Sequence, residues 1–387
     1  MGDSPVRDPL DEPLLLTPGP LTTSRSVKEA MLRDWGARDG EFMAMNARVR
    51  SRLVELAGGA GTHEAILIQG SGTFANEGVI GTFVPRDGKL LILINGAYGR
   101  RIRQIAQMVG RAHSVLEWPE DTAVDPAAVA AALAADPEIT HVSMVYCETT
   151  SGVLNPLAEV AAVVAAAGRR LLIDAMSAFG ALPCDAQGIR YDALVSSFNK
   201  CLEGVPGVAF AICRREALEE AARHRSVHSH VLDLIDQWRY MERTGQWRFT
   251  APTHVIAAFD RALSEHAAEG NVEGRGARYR RNCQVLVEGM RALGFGTLLA
   301  DVVQAPIIVT FHTPSDPRWD FEAFYDSLRR RGYVIYPGKL TKADTFRIGC
   351  IGRISETDIR GALEAIRTTL TEMGVRLTLP AAPTHSA

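Results

Sequence analysis

Short apolar, β-branched runs alternate with helical stretches from about residue 62 to residue 214. The first of these runs are HEAILIQ and KLLILIN, and the helical stretches FANEGVIGTFV and RRIRQIAQMVG between and after them carry their apolar residues on one stripe. Seven such runs predict seven strands, each buried on both faces. Because helices separate most of them, the pattern predicts a mainly parallel α/β sheet. The last two strands, separated only by the loop SSFNKCLEGVPG, are the ones expected to depart from it.

A second pattern follows the loop-like stretch GQWRFTAPTH. A long helix is predicted from residue 255 to about 268, then RYRRNCQVLVEGMRALG as a helix, and APIIVTFHT, YVIYPG and TFRIGCIG as strands. FEAFYDSLRRRG and residues 356–373 are predicted as helices. We therefore expect an N-terminal segment over 1–25, a large domain over 26–265 and a smaller α+β domain over 266–387.

Composition narrows the class of protein. The net charge of −3 gives no electrostatic reason to expect nucleic acid or an anionic membrane as partner. No apolar run approaches the ~20 residues that span a bilayer, and the polar start MGDSPVRDPLDEP lacks the apolar core of a signal peptide. The six cysteines are scattered without metal-ligand spacing, so buried free thiols and no metal site are expected. These features predict a cytoplasmic enzyme.

The stretch QGSGTFANEG follows a predicted strand and opens a predicted helix. Ser71, Gly72 and Thr73 would place free N–H groups at the helix N-terminus, where backbone donors and the helix dipole favour an anion. The alternative is a glycine turn whose serine or threonine only caps the helix. The stretch is neither a Walker A loop nor GxGxxG, so a nucleotide is not the first expectation.

Asp174 and Lys200 end two consecutive strands. A carboxylate at the end of a buried strand is costly unless it is paired, so Asp174 is either a structural cap or ion pair, or a fixed charge facing a cationic ring nitrogen. Lysine occurs only five times in a chain whose Lys and Arg total 42. Unlike arginine, Lys200 can lose its proton and attack a carbonyl, although a solvated loop lysine is the plain alternative. Consecutive strands are usually neighbours, so the two side chains should lie side by side.

Tyr98 lies in the loop after another strand, where it either packs or stacks on a flat cofactor. An anion site, a carboxylate, an aromatic ring and a nucleophilic lysine thus fall on loops at one edge of a sheet, where such sheets bind ligands. Pyridoxal phosphate needs this combination: a helix N-terminus for its phosphate, an aspartate for its ring nitrogen and a lysine for its aldehyde.

The chain also resembles the class V aminotransferases, which are fold-type I pyridoxal phosphate enzymes. The similar stretches are LLLTPGPLTTS (14–24), LIQGSGTF (67–74), PRDGKLLILINGAYG (85–99), CETTSGVLNP (147–156), LLIDAMSAFG (171–180), NKCLEGVPG (199–207), GQWRFTAPTH (245–254) and YPGKLTKADTFRIGCIG (336–352). The resemblance implies a transaminase that moves the amino group of 2-aminoethylphosphonate to pyruvate. It also implies a homodimer with active sites at the interface.

Residue roles follow from the same resemblance. Lys200 would bind the cofactor aldehyde covalently and then act as the base, and Asp174 would pair with the ring nitrogen. Arg347 would bind the acid group of the substrate, which suits its planar fork of donors. The cofactor-binding set that the resemblance implies is Ser71, Gly72, Thr73, Tyr98, Thr149, Asp174, Ser197, Lys200 and Thr250, with Thr250 reaching the partner subunit's cofactor.

Three positions depart from the pattern of the family: Arg38, Ala178 and Phe198. None removes a catalytic group, but Arg38 and Phe198 could reshape a pocket and so change the amino donor. A transaminase of another amine or amino acid, such as an alanine–glyoxylate, serine–pyruvate or substituted aminophosphonate enzyme, therefore stays open. So do two classes with different chemistry: a pyridoxal phosphate lyase or desulfurase, and a phosphate-binding protein without turnover.

Overall fold

A computed structural model describes residues 12–336 and 341–377. Residues 1–11 of the predicted N-terminal segment lie outside the described residues. So do residues 337–340, which include the end of the predicted strand YVIYPG, and residues 378–387 of the predicted small domain.

The described chain contains both strands and helices, and the two alternate along its first half. The strands are β1 (Leu14–Leu16), β2 (His63–Gln69), β3 (Lys89–Ile94), β4 (Ala112–Glu117), β5 (Ile139–Val145), β6 (Cys147–Glu148), β7 (Val153–Leu154), β8 (Arg170–Asp174), β9 (Ala193–Ser197), β10 (Val208–Arg214), β11 (Ile308–His312), β12 (Tyr333–Ile335) and β13 (Thr345–Gly349). The α-helices are α1 (Arg25–Glu29), α2 (Gly40–Leu56), α3 (Gly72–Phe83), α4 (Ala97–Met108), α5 (Pro126–Ala135), α6 (Leu157–Ala166), α7 (Arg215–His224), α8 (Leu234–Thr244), α9 (Thr253–Ala268), α10 (Asn271–Ala292), α11 (Phe321–Arg330) and α12 (Glu356–Met373).

The central sheet has seven strands in the order β2-β10-β9-β8-β5-β3-β4. Strands β9, β8, β5, β3 and β4 pair in parallel, whereas β10 runs antiparallel to both β9 and β2. The predicted sheet and the predicted departure after the lysine loop are both confirmed. Because β10 alone is reversed, β2, β3, β5, β8 and β9 all end at the same edge, which we call the carboxyl edge.

Alternate residues of the central strands enter two separate cores, as the pleat of a strand requires. In β3, Ile92 and Ile94 pack in the core with helices α3 and α4, whereas Leu91 and Leu93 pack in the core with α2 and α6. Both faces of the sheet are therefore covered by helices. This explains why the strands read as continuous apolar runs rather than as alternating ones.

A third buried cluster is formed by residues 283–375 together with Leu16. It contains α11, α12 and two small sheets, in which β1 pairs in parallel with β12 and β11 pairs antiparallel with β13. Leu16 shows that the N-terminal segment packs on this part of the molecule. The domain boundary at residues 265 and 266 stays a prediction.

Helix α10 begins at Asn271, seven residues before the helix predicted from residue 278. Two glycines in these seven additional residues, Gly274 and Gly276, weaken the helical signal in the sequence. A Cβ on Gly276 would lie 2.3 Å from the carbonyl oxygen of Ala181. Here glycine allows a close approach between the helix and the chain after β8, and it does not end the helix.

Candidate active site

A cavity of about 230 Å³ opens at the carboxyl edge of the central sheet. Its walls come from the segments that follow β2, β3, β8 and β9, together with part of the N-terminal segment. Seven of the nine residues predicted to bind a cofactor line it: Ser71, Gly72, Thr73, Tyr98, Asp174, Ser197 and Lys200.

Lys200 reaches the cavity from the turn after β9. Its Nζ donates to the carbonyl oxygens of Pro18 at 2.9 Å and Gly19 at 3.3 Å. Burial lowers the pKa of the Lys200 amine to about 8, against the opposing effects of the Cys201 thiol and the Asp174 carboxylate. An amine with this pKa is partly unprotonated near neutral pH, so it is available as a nucleophile or base.

Asp174 is buried at the end of β8, close to the lysine. Its Oδ2 accepts from the amide of Asn76 at 2.8 Å, and its Oδ1 accepts from the Met176 N–H at 2.9 Å. Burial raises the pKa of the Asp174 carboxyl, while these two hydrogen bonds and the charge of Lys200 lower it. Among the described residues Asp174 has no ion-pair partner within bonding distance, so its charge can serve a cationic group in the cavity.

The N-terminus of α3 forms another wall of the cavity. Ser71 occupies the N-cap position, yet within the described chain its side chain makes no capping hydrogen bond. Ser71 thus has the N-cap place that the alternative interpretation gave it, but its hydroxyl is not used for capping. A Cβ on Gly72 would lie 2.3 Å from Cε of Met176, so the Met176 side chain packs directly over this glycine. Ser71 and Thr73 thus leave hydroxyl and backbone donors at the positive end of a helix.

Tyr98 lies in the first turn of α4 and lines the cavity. Burial raises the pKa of its phenol, and a hydrogen bond with the Thr149 side chain lowers it. The Arg101 guanidinium lies 5.0 Å from the centre of the Tyr98 ring and lines the same cavity. Thr149 is buried, and the hydrogen bond of its side chain with Tyr98 connects it to the cavity wall.

Arg347 lies in β13, outside the set of residues that lines the cavity. Its side chain is buried, its Nη1 donates to the carbonyl oxygen of Thr149 at 2.7 Å, and its guanidinium lies 4.4 Å from the centre of the Tyr336 ring. Burial lowers the pKa of Arg347, while Tyr336, Tyr98 and Glu148 raise it. Arg347 is therefore fixed between the Thr149 backbone and the Tyr336 ring, near Tyr98 and Glu148.

Thr250 is exposed on the loop between α8 and α9 and does not line the cavity of its own chain. The three departures from the family pattern are also absent from the residues that line the cavity, although Phe198 lies between two of them, Ser197 and Asn199. Arg38 is exposed, Ala178 is fully buried, and the Phe198 ring stacks on that of Phe259 with the centroids 3.5 Å apart. Neither Arg38 nor Phe198 is among the residues that line this cavity, and the expectation that they reshape a pocket stays a prediction.

Sequence reasoning missed two contacts that position the predicted residues. Asn76 lies one turn into α3 and donates to Asp174, a contact between two distant parts of the chain that no spacing in the sequence indicates. Gly19 has a φ of +116°, and a Cβ there would lie 2.7 Å from Cδ of Lys200. The stretch LLLTPGPLTTS brings Gly19 to the lysine, but only the fold reveals that contact.

The residues present fit pyridoxal phosphate. The support for this is the donor set: a serine hydroxyl without a capping bond, a carboxylate held by neutral donors, and a lysine amine with a lowered pKa. Among residues 12–336 and 341–377 there is no group of histidine, cysteine or acidic side chains that could hold a metal ion. Within the same ranges no helix has the length and apolarity needed to cross a membrane.

Residues 24–327 match the profile of the family described as aminotransferase class-V. The chain therefore belongs to the class V aminotransferases, which use pyridoxal phosphate. It is 54% identical to 2-aminoethylphosphonate–pyruvate transaminase 2 of Burkholderia lata, over 94% of this chain and 96% of the relative. It is 53% identical to 2-aminoethylphosphonate–pyruvate transaminase of Rhizobium meliloti, over 96% and 97%.

Solved structures show the same fold. The crystal structure of pyridoxamine–pyruvate aminotransferase from Mesorhizobium loti superposes with a TM-score of 0.87 at 25% identity, covering 96% of this chain and 95% of that one. Alanine–glyoxylate aminotransferase from Nostoc sp. also gives a TM-score of 0.87, at 24% identity, covering 96% of this chain and 98% of that one. Enzymes with different substrates thus share this architecture, so the fold alone does not select the amino donor.

Proposed function

We propose that the protein transfers the amino group of 2-aminoethylphosphonate to pyruvate, releasing phosphonoacetaldehyde and L-alanine. The observation that carries the reaction class is Lys200, whose amine has a pKa of about 8 and lies beside Asp174 in a cavity that ends at a helix N-terminus. The amino donor rests on the relatives of 53–54% identity, which match nearly the whole chain and carry this activity in their names. The alanine–glyoxylate enzyme is only 24% identical.

Bound pyridoxal phosphate would supply an aldehyde that exchanges amino groups and a ring that takes up an electron pair. Lys200 Nζ would hold the cofactor through its aldehyde. As a free amine, Lys200 Nζ would take a proton from the amino-bearing carbon of the substrate as a general base and later give it up as a general acid. Asp174 would keep the ring nitrogen protonated, because its carboxylate faces the cavity without a cationic partner.

The remaining residues would bind and orient. Ser71 and Thr73 would hold the phosphate through hydroxyl and backbone donors of α3, with Ser197 and Tyr98 along the ring. Arg347 would bind the acid group of each substrate in turn, since 2-aminoethylphosphonate and pyruvate are both acids and the two half-reactions use one site. Arg347 already donates to the Thr149 carbonyl oxygen through Nη1, and its charge is felt by Tyr98, which lines the cavity.

We further propose a homodimer in which Thr250 reaches the cofactor phosphate of the partner subunit. Thr250 is exposed, and Phe249 beside it and Phe74 at the start of α3 expose 47% and 49% of their surfaces. Large exposed apolar side chains are typical of a surface that another chain covers. Light scattering should give twice the 42.0 kDa of one chain. A mass of one chain would contradict the proposal.

We also propose that the protein works in the cytoplasm, since its six cysteines are all unpaired and buried, as is common in a reducing compartment. The same burial argues against a desulfurase, which needs an accessible thiol. A hydrogen bond with Cys283, together with burial, raises the pKa of the Cys350 thiol, so it is protonated and enclosed.

The test is a product assay with two competing substrate pairs. Purified enzyme is given 2-aminoethylphosphonate with pyruvate, or L-alanine with glyoxylate, and the new amino acid is measured by NMR. We expect kcat/KM for 2-aminoethylphosphonate to exceed that for L-alanine by about 100-fold, because its acid group lies one carbon further from the amino-bearing carbon and a site fitted to that spacing positions L-alanine less well. Faster turnover of L-alanine with glyoxylate would overturn the assignment of the donor.

A further inference from the structure

The turn that carries Lys200 contains an unusual residue, Glu203. Its N–H donates to the carbonyl oxygen of Lys200 at 2.8 Å, which closes the turn. Its φ of +57° lies in the left-handed region, which residues other than glycine and asparagine seldom adopt. A residue held in such a conformation needs a compensating interaction, and these conformations concentrate at functional sites.

The compensation comes from the Glu203 side chain, which is buried under helix α10. Its Oε1 accepts from the Tyr279 hydroxyl at 2.7 Å and from Nη2 of Arg278 at 2.7 Å. Arg275 adds an ion pair at 3.5 Å, and its Nη1 donates to the carbonyl oxygen of Cys201 at 2.6 Å. Both ends of the segment that follows Lys200 are therefore fixed to one helix.

The same arginines are anchored on their other side. Glu269 accepts from Nε of Arg275 at 2.7 Å and from Nε of Arg278 at 2.6 Å. Although burial alone would raise it, Arg278 and Arg275 bring the pKa of Glu269 down to about 2. Two arginines and two glutamates thus form a charge-balanced buried cluster, which we call the α10 clamp (Glu203, Glu269, Arg275, Arg278 and Tyr279).

The α10 clamp also holds the segment that follows Arg347. Nη1 of Arg278 donates to the carbonyl oxygens of Gly352 at 2.6 Å and Ile354 at 2.9 Å, and the Gly352 N–H donates to the Tyr279 hydroxyl at 3.2 Å. Gly352 lies three residues after the end of β13, the strand of Arg347. One cluster therefore ties the lysine turn to the strand proposed to bind the acid group of the substrate.

We propose that Glu203 is a positioning residue that, through the α10 clamp, holds Lys200 in register with the strand of Arg347. The role of Glu203 in catalysis rests on the proposed transaminase function, but the first measurement that tests it, described below, needs no amino donor. A purely structural ion pair would lower the stability of the fold when it is broken. A positioning residue would in addition change the chemistry of the lysine, because small displacements of a catalytic group cost large factors in rate.

The main variant is Glu203→Gly. Glycine adopts a φ of +57° without strain, so this change removes the side chain and leaves the turn free to form. Glu203→Gln is the conservative partner: its amide oxygen can take the place of Oε1, while its amide nitrogen replaces Oε2, which has no hydrogen-bond partner among the described residues. We expect Glu203→Gln to keep most of the wild-type behaviour.

Asp192 provides a matched control at the opposite edge of the sheet. It is also a buried carboxylate between two arginines, Arg214 at 2.5 Å and Arg170 at 3.2 Å. Each of these arginines keeps a second acidic partner, Glu216 or Glu220, just as the clamp arginines keep Glu269. Asp192→Ala therefore removes the same kind of interaction at a distance from Lys200.

The first readout is a spectrophotometric pH titration of the visible band of the lysine-bound cofactor in the resting holoenzyme. We expect Glu203→Gly to move the midpoint, and Glu203→Gln and Asp192→Ala to leave it in place. The second readout is the rate at which 2-aminoethylphosphonate removes the band. We expect this rate to fall about tenfold in Glu203→Gly. We also expect the acidic side of its pH profile to move to higher pH, because a less enclosed Lys200 has a higher pKa.

If Glu203→Gly lowers the Tm but changes neither the midpoint nor the rate, which is the result expected for Asp192→Ala, the proposal is overturned. If Glu203→Gly does not fold, Tyr279→Phe replaces it, since this change removes one donor to Glu203 and the acceptor of Gly352 N–H. A shifted midpoint in Tyr279→Phe supports the proposal, and an unchanged one overturns it. If wild-type enzyme shows the band but does not respond to 2-aminoethylphosphonate, the proposed donor fails while the titration still decides the role of Glu203.

Discussion

The two edges of the central sheet each bury an aspartate, and the two side chains are satisfied in different ways. Asp192, before β9, is paired with Arg170 and Arg214. Asp174, at the end of β8, accepts from an amide side chain and a backbone N–H, and no arginine pairs with it among the described residues. Arginines neutralise the first charge, whereas the second is held in place by neutral donors and stays available. A buried charge without a fixed counter-ion is the stronger indication of a binding site.

The two edges differ in their lysines as well. Lys89 at the start of β3 pairs with Asp136 at 2.6 Å and is a surface residue, whereas Lys200 lines the cavity with a lowered pKa. We expect Lys200→Ala to lower kcat by about a thousandfold or more, because it removes both the nucleophile and the base. The visible cofactor band should be lost with it. Lys89→Ala should keep the band and kcat within about twofold, since an exposed pair contributes little.

The aspartates give the second test of the comparison. Asp174→Asn keeps the shape but removes the charge that faces the cavity, so we expect kcat to fall about 100-fold with a small change in stability. Asp192→Asn should do the reverse: it leaves two arginines without their shared carboxylate and should lower the free energy of unfolding by about 1–3 kcal/mol. Turnover at 25 °C should stay near that of the wild type. Equal loss of activity in both variants would remove the distinction between the edges.

The smallest expected effect concerns stability and pH. The pKa of Lys200 is about 8 in the folded protein and about 10.5 when exposed. Between these values the unfolded chain holds a proton that the folded one has lost, so the stability of the wild type rises with pH across this window. Relative to the wild type, cofactor-free Lys200→Met should therefore be more stable at pH 7 than at pH 10.5. Denaturant unfolding should show the stability of the variant relative to the wild type falling from pH 8 to pH 10.5, and a constant difference would contradict the lowered pKa.

The sequence predicted the carboxyl edge well because its chemistry is local. Asp174 and Lys200 each end a run of apolar residues, and Ser71 opens a helix after another run, so the sheet topology alone brings them together. The contacts that position them are not local. Gly19 meets Lys200 across 181 residues, and Arg278 meets Glu203 across 75, through packing that no periodicity encodes.

Arg347 lies between these two cases. The resemblance to the family indicates its role, but the guanidinium is hydrogen-bonded to the Thr149 carbonyl oxygen and is not among the residues that line the cavity. Its neighbour on the other side, Tyr336, is the last described residue before position 337. The direction in which Arg347 reaches a substrate therefore depends on tertiary packing that strand patterns do not predict.

The most direct test of the central claim is an absorbance spectrum of the holoenzyme during addition of 2-aminoethylphosphonate without any keto acid. We predict that the visible band of the lysine-bound cofactor disappears as the cofactor takes up the amino group, and that pyruvate then restores it. A band that persists with 2-aminoethylphosphonate and disappears with L-alanine would contradict the proposed donor. The absence of any band after pyridoxal phosphate is supplied would contradict the function assigned to the carboxyl edge.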